Sequence, residues 1–559
     1  MKTEHSRGAS LRTALILNAV FLMLTVLLVR VGFESNDDPT LSAFVDGQMA
    51  NSTAYIPYLN IVLGAALKGV YTVLGRDAAW HTFCQYALLY AGFAALCFVL
   101  CERLGTLRGA LVTLVLLLFF GTDAYCIINY TKTAAVCTVG GTALLLYAVE
   151  STGRHPAALT IGILLSVTGF MLRSMEFLPC FALTAVLCLR PLWGILESRE
   201  PSGEKLKRFG RLALPFVLVL VISAGLYVVN EWAWSKEPWT GYHEFDKVRV
   251  SYSDYGRPAY EEMPEAYEAL GLSRADVQLL YTGDYFDPEV FSAGTMQAVA
   301  DARDAIFPRP SAGECVGLFL DKAVPGFFVS LPIYAFLLIL ALWLAAGDHR
   351  LCDWVCFALE GALFAAAYLY LIWRGRYLVD RVDLGLLLSA SAVTALMLNA
   401  EKLRREKVLT VLILLFAVGT SHYLMRDSYR TAEAEDKRGI RAAYETLLGD
   451  TEHVYLAKLG AVTDGLWSPF EPYGKGYWDR IVLLGGFDCL HPAIMENLAG
   501  YDVSVPYRDC VGNRKVCLIE DDIELTLQFI HEHYDPRAKA ELVEPLSTET
   551  GMSIYRILK

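Results

Sequence analysis

An apolar run from Leu11 to Phe33, closed at once by Glu34-Ser35-Asn36-Asp37-Asp38-Pro39, constrains the fold more than any other stretch of the chain. The run is about 20 residues long, enough to cross a bilayer core of roughly 30 Å as a helix. The acidic cluster therefore stands where a first membrane helix emerges. Charge beside hydrocarbon is costly, and where it persists it faces water-filled cavities and serves chemistry or transport.

Runs of the same kind recur: Ala79 to Cys101, Leu107 to Ile127, Thr131 to Val149, Ala157 to Leu172, Phe177 to Leu196, Leu212 to Trp232, Val324 to Ala346, Trp354 to Trp373, Leu384 to Leu398 and Val408 to Leu424. With the first they make about eleven spans. Hydrophobic residues are 55% of the chain and charged ones 19%, too apolar for a soluble protein of this length. The first run lacks a small-x-small cleavage site and is followed by many more spans, so it reads as a retained helix and not a signal peptide. The fold class expected is an α-helical polytopic membrane protein.

The segment Ile56 to Leu74 is apolar but carries Pro57, Asn60, Gly64, Lys68 and Gly69. If it lies along the interface, the basic loops Arg199-Lys205-Lys207-Arg208-Arg211 and Lys402-Arg404-Arg405-Lys407 share a side with Lys2, Arg7 and Arg12. The positive-inside rule then makes that side cytoplasmic. An interfacial helix is therefore expected, with Tyr58 and Trp80 as boundary anchors. By the same parity Asp37, Asp38, the Asn129-Tyr130-Thr131-Lys132 loop, the Arg173-Ser174-Met175-Glu176 turn and Arg374-Gly375-Arg376-Tyr377 with Arg381 face outward. Outer arginines run against the positive-inside bias and need another explanation.

The expected organisation is a membrane domain over residues 1–425, with a first outer loop at 34–78 and a long outer loop at 233–323, then an outer α/β domain over 426–559. In the long loop, Trp239-Thr240-Gly241-Tyr242-His243-Glu244-Phe245 mixes aromatics with charge, as packing residues or as platforms for sugar rings. In the tail, His453 to Leu456 and Ile481 to Leu484 read as strands and Ile523 to His533 as a helix. A turn at Val511-Gly512-Asn513-Arg514 could bring Cys510 and Cys517 together as a disulfide. The tail has no phosphate loop, metal-ligand spacing or nucleophile elbow. A net charge of -12 without a basic patch argues against a nucleic-acid partner.

Paired acidic residues in the first outer loop, an interfacial helix after them, about eleven spans, a long late-middle loop and an outer tail resemble the membrane glycosyltransferases of the C type. Relatives include the protein O-mannosyltransferases and the aminoarabinose transferase that modifies lipid A. The resemblance implies a sugar donor carried on a polyprenyl phosphate, and a catalytic base at Asp37 or Asp38. It also implies donor binding near an Arg-Tyr pair, which stands here as Arg376-Tyr377 without the proline that follows it in several relatives. The acceptor would be a glycan, lipid or protein at the outer face of a cell membrane, with the amino terminus cytoplasmic and the tail outside.

The chemistry asks for such residues independently. A carboxylate near the acceptor hydroxyl takes its proton, and guanidinium groups answer the charge on the departing lipid phosphate. Arg173, Arg249, Arg374, Arg376 and Arg381 are the outer candidates, with Tyr377 beside them. Asp37 is favoured as base, because neighbours on an extended segment point to opposite sides and Asp38, preceding Pro39, suits holding the loop. Bland readings stand beside these: the acidic pair as a helix cap, Arg173 with Glu176 as a structural ion pair, and the late arginines as lipid head-group contacts. Asp37, Asp38 and Glu34 are hard oxygen ligands, so a divalent cation stays open, with no metal motif to require one. The competing class is a multi-pass transporter or lipid flippase, in which charge should line the middle of the spans.

Overall fold

The computed structural model describes residues 4–29, 31–35, 37–49, 51–151, 155–328, 331–376, 379–404, 418–420, 438–461, 468–471, 477–546 and 551–559. Up to the long loop the helices are α1 (Glu4–Leu28), α2 (Asp37–Asp46), α3 (Ile61–Leu74), α4 (Trp80–Leu104), α5 (Thr106–Leu116), α6 (Thr122–Cys126), α7 (Tyr130–Glu150), α8 (Pro156–Leu172), α9 (Ser174–Ala185), α10 (Leu189–Glu197) and α11 (Ser202–Trp234). A π-helical turn, Leu117–Gly121, joins α5 to α6, and a 3-10 turn, Val186–Cys188, joins α9 to α10. Both joined pairs run as continuous apolar rods, Thr106–Cys126 and Ser174–Glu197.

Among the described residues 7 helices are long and apolar enough to cross a membrane, each coinciding with an expected span. Three more expected spans are shorter helices: α8, Leu331–Ala346 and Asp380–Leu396. The chain is an α-helical polytopic membrane protein. Helix boundaries differ from expectation in places, α11 starting at Ser202 and not Leu212. The first helix ends at Leu28, and the span expected from Val324 starts at Leu331 because Val324–Phe327 is a separate turn after a π-helical stretch. The span Val408–Leu424 lies outside the described residues except for 418–420, which are helical. At 14 residues, α3 is about 21 Å long, short of a bilayer core.

Position in the bundle follows from side-chain size and polarity. α7 is buried along nearly its whole length. It approaches α4 closely because both carry glycine at the crossing: a Cβ on Gly140 would meet the Gly92 carbonyl oxygen at 2.3 Å. α11 instead exposes Leu214, Val217, Val221, Val228 and Trp232, an apolar surface that lipid would cover. A short parallel pair, β1 (Gly32–Phe33) with β2 (Ile127–Ile128), ties the end of the first span to the start of α7.

The long loop opens with α12 (Trp239–Ser253), and four further helices lie between it and Leu318. The tail carries a five-stranded sheet of β3 (Val454–Ala457), β4 (Ile481–Leu483), β5 (Val516–Glu520), β6 (Lys539–Pro545) and β7 (Ser553–Leu558) in the order β4-β3-β5-β7-β6. The three strands at one side are parallel and fully buried, while β6 is an exposed antiparallel edge. The helix Ile523–His533 forms where expected. Loop and tail are stitched together: Leu459 N donates to Asp284 Oδ1 at 2.6 Å, Phe286 N to the Leu484 carbonyl at 2.8 Å, and Tyr534 Oη to Asp287 Oδ2 at 2.6 Å.

The disulfide expected between Cys510 and Cys517 does not form. Both thiols are free and buried, Cys517 inside β5 and Cys510 in the turn after Pro506–Asp509, where its Sγ is 3.3 Å from the Tyr507 carbonyl. The Trp80 indole N–H donates to the Gly75 carbonyl at 3.0 Å.

Candidate active site

The site is assembled where α2, α4 and α7 begin near one another. Asn129 caps α7, its Oδ1 accepting from Thr131 N at 2.8 Å. The next N–H, that of Tyr130, has no partner within its own helix and points at Asp38, 3.2 and 3.3 Å from the two carboxylate oxygens. Gln85 of α4 donates from Nε2 to Asp38 Oδ1 at 2.6 Å, and its own Oε1 accepts from Thr133 Oγ1 at 3.0 Å. Asp38 is fully buried, and that burial pushes its carboxyl up to about 8. It fastens α2 to α4 and α7.

Asp37 is placed differently. Both aspartates lie in the first turn of α2, where acidic groups complement the helix dipole, and not on the extended segment expected from sequence. Successive helical residues are about 100° apart, so Asp38 turns into the bundle while Asp37 keeps 17% of its side chain exposed. Arg381 Nη2 stands 4.0 Å from Asp37 Oδ2. Burial raises the Asp37 carboxyl from its ordinary value, and Arg381 and then Arg173 draw it back down.

Arg173, in the turn between α8 and α9, lies over two tyrosine rings, 4.7 Å from that of Tyr58 and 5.5 Å from that of Tyr130. The ion pair with Glu176 is not what it makes; Glu176 is buried and its Oε1 is 3.4 Å from Cys180 Sγ. Tyr58 sits at φ 66, a backbone conformation that non-glycine residues seldom adopt, and this turns its ring into the site.

The remaining arginines divide. Arg376 pairs with Asp254 and lies 5.4 Å from the Tyr255 ring, which Arg374 covers at 4.1 Å. Asp254 in turn raises the Asp37 carboxyl, so this pair borders the same site. Arg249 is buried in α12, with its donors on Asp246 Oδ1 (2.6 Å), Tyr58 Oη (2.9 Å) and Ser253 Oγ (3.2 Å). It holds Tyr58 and through it the surface on which Arg173 rests, and has little left to offer a ligand. Tyr377 lies outside the described residues.

Several contributors are invisible to motif reasoning. Gln85 is a polar residue within an apolar run and Lys132 stands in the outer loop before one, and no motif marks either. Lys132 pairs with Glu34 Oε2 at 2.8 Å and donates to the Ile127 carbonyl at 3.1 Å. Asp38 is thus committed to the fold and Glu34 is held by Lys132, while Asp37, about as exposed as Glu34 (17% against 16%), is the one of the three set against guanidinium groups. Among the described residues the acidic and histidine ligand atoms that gather tightly are those of Asp276, Glu532 and His533, at the junction of loop and tail. A cavity of about 200 Å³ opens beside Tyr58 and Asp246 and is walled by Tyr227, Asn230 and Trp234 of α11, the helix with the lipid-facing surface.

No family model matches the chain, and no curated protein matches it. Among solved structures the chain is similar to ArnT from Cupriavidus metallidurans bound to undecaprenyl phosphate, at 11% identity over 97% of each chain with a TM-score of 0.41. It is similar to the apo state of the same protein at 12% identity, with the same coverage and TM-score.

Proposed function

We propose that the chain is a membrane glycosyltransferase of the C type, moving a sugar from a polyprenyl-phosphate donor to an acceptor hydroxyl, with Asp37 as the base. The observation that carries this reading is the part-exposed Asp37 carboxylate set against Arg381 and Arg173 at the mouth of the first span. A carboxylate that takes a proton and guanidinium groups that neutralise a leaving phosphate are the two requirements of such a transfer. The donor phosphate would lie between Arg173, Arg381 and the Arg374–Arg376 pair, with its lipid entering beside α11. One base and one displacement imply inversion at the anomeric carbon. With the amino terminus and basic loops cytoplasmic, the site and tail lie on the outer face.

The electrostatics give a pH signature. As a base Asp37 works deprotonated, so turnover rises with pH through its pKa, which burial holds above the ordinary 3.8. Arg381 lowers that pKa, hence Arg381→Ala is expected to move the acid limb of the kcat/KM profile to higher pH as well as weakening donor binding. An acid limb that stays in place would remove Arg381 from the site.

The direct test is release of lipid phosphate from a panel of radiolabelled polyprenyl-phosphate sugars by the full chain in lipid nanodiscs. Turnover of one donor supports the reading. A transport reading has one observation in its favour: Glu360, midway along Leu351–Trp373, is buried with both carboxylate oxygens unpartnered among the described residues. Saturable lipid flux without release of lipid phosphate would decide for it.

A further inference from the structure

At the far end of α2 a cleft of about 680 Å³ opens where three separate parts of the chain meet: the loop after α2, the start of α12 and the tail helix Pro492–Ala499. Its volume is that of pockets that bury a small organic ligand. Its floor is aromatic. The rings of Tyr55 and Trp239 stack with centroids 4.0 Å apart and planes within 9°. His491 locks them in place, with Nε2 3.0 Å from the Tyr55 carbonyl and its ring 5.2 Å from Trp239 and 4.1 Å from Phe44 of α2. Burial lowers His491 to about 3, so it stays neutral, with Nδ1 accepting from Ala493 N and Nε2 donating to Tyr55. The platform is rigid before any ligand arrives.

The rim is polar and balanced. Asn51 Nδ2 donates to Glu496 Oε1 at 2.9 Å, which fixes an amide and a carboxylate side by side. Lys68, the one charged residue of α3, lines the cleft with them. One cation and one anion give no net charge to select an ionic ligand. An aromatic floor suits the C–H face of a pyranose ring, and amide, carboxylate and ammonium groups suit its hydroxyls.

We propose that this cleft binds a neutral oligosaccharide. Phe44 follows Asp37 by seven residues on one helix, about 10 Å along its axis. The cleft thus lies about three helical turns or less from the Asp37 end of α2, and resting on the transferase reading above, the glycan would be the acceptor.

The test is saturation-transfer NMR on the full chain in nanodiscs free of glycoside detergent, with maltotetraose, cellotetraose and N-acetylchitotetraose as probes. Saturable binding of at least one is expected, with the strongest transfer on ring C–H protons. Trp239→Ala should weaken it about tenfold. Glu496→Ala, an exposed position whose loss leaves the fold intact, should weaken it too. Binding of none of the three, or binding that both variants leave unchanged, would overturn the proposal. Donor turnover without tetrasaccharide binding would remove the cleft alone. Tetrasaccharide binding without turnover of any donor would remove the transferase reading and leave a glycan-binding site.

Discussion

Asp37→Asn is expected to lower sugar transfer by about 10²- to 10⁴-fold, the range that a positioned general base supplies. The substitution keeps shape and removes only the ability to take a proton. Little stability should be lost, because at 4.0 Å the Asp37–Arg381 contact is an ion pair and not a short hydrogen bond, and the burial that raises the Asp37 pKa disfavours its charge. The check is turnover of the lipid-linked donor against the thermal midpoint of the same preparation. A variant that transfers at the wild-type rate would refute Asp37 as the base, whatever the rest of the site does.

The neighbouring position should behave in the opposite way. Asp38→Leu leaves two buried donors, Gln85 Nε2 and the Tyr130 N–H, without an acceptor, at about 1–3 kcal/mol each. A loss of about 2–6 kcal/mol is expected, with α2 freed from α4 and α7. Asp38→Asn should be mild, since Oδ1 alone accepts from both donors and an amide reproduces a protonated carboxyl. The wild-type carboxyl rises from an ordinary 3.8 to about 8 on folding, so the folded state binds the proton more tightly. Its contribution is therefore full below about pH 4 and is lost as pH climbs toward 8. Thermal melts at pH 5 and pH 8 should show that loss in wild type and a smaller one in Asp38→Asn. An asparagine variant as damaged as the leucine one would show that Asp38 must be charged.

Side by side in sequence, the two aspartates differ only in that Asp38 precedes Pro39, and an extended segment would point them to opposite sides. The helical turn separates them by angle, and burial then separates their chemistry. Arg249 illustrates the other limit. Its residue type fits a phosphate ligand, yet Asp246 is one helical turn away on α12 and Tyr58 comes from the first loop, so its donors are used inside the protein. Gln85 carries no signal in sequence, Lys132 reads only as an outer-loop residue and Tyr58 only as a boundary anchor, because each acts through a partner 47 or more residues distant. No local pattern records such a meeting.

Legible in consecutive residues are the membrane-spanning architecture, the position of an acidic pair after the first span, and two of the five tail strands with the helix Ile523–His533. Those follow from chain-local physics: a hydrocarbon core requires about 20 apolar residues per crossing and full internal backbone hydrogen bonding, and strand and helix periods are written in consecutive residues. Packing of distant elements alone fixes which aspartate is locked and which faces arginine, that Arg249 spends its donors inside the protein, and that loop and tail close a cleft around Trp239. Those outcomes depend on desolvation and hydrogen-bond partners supplied by α4, α7 and α12, whose arrangement exists only after the helices have packed.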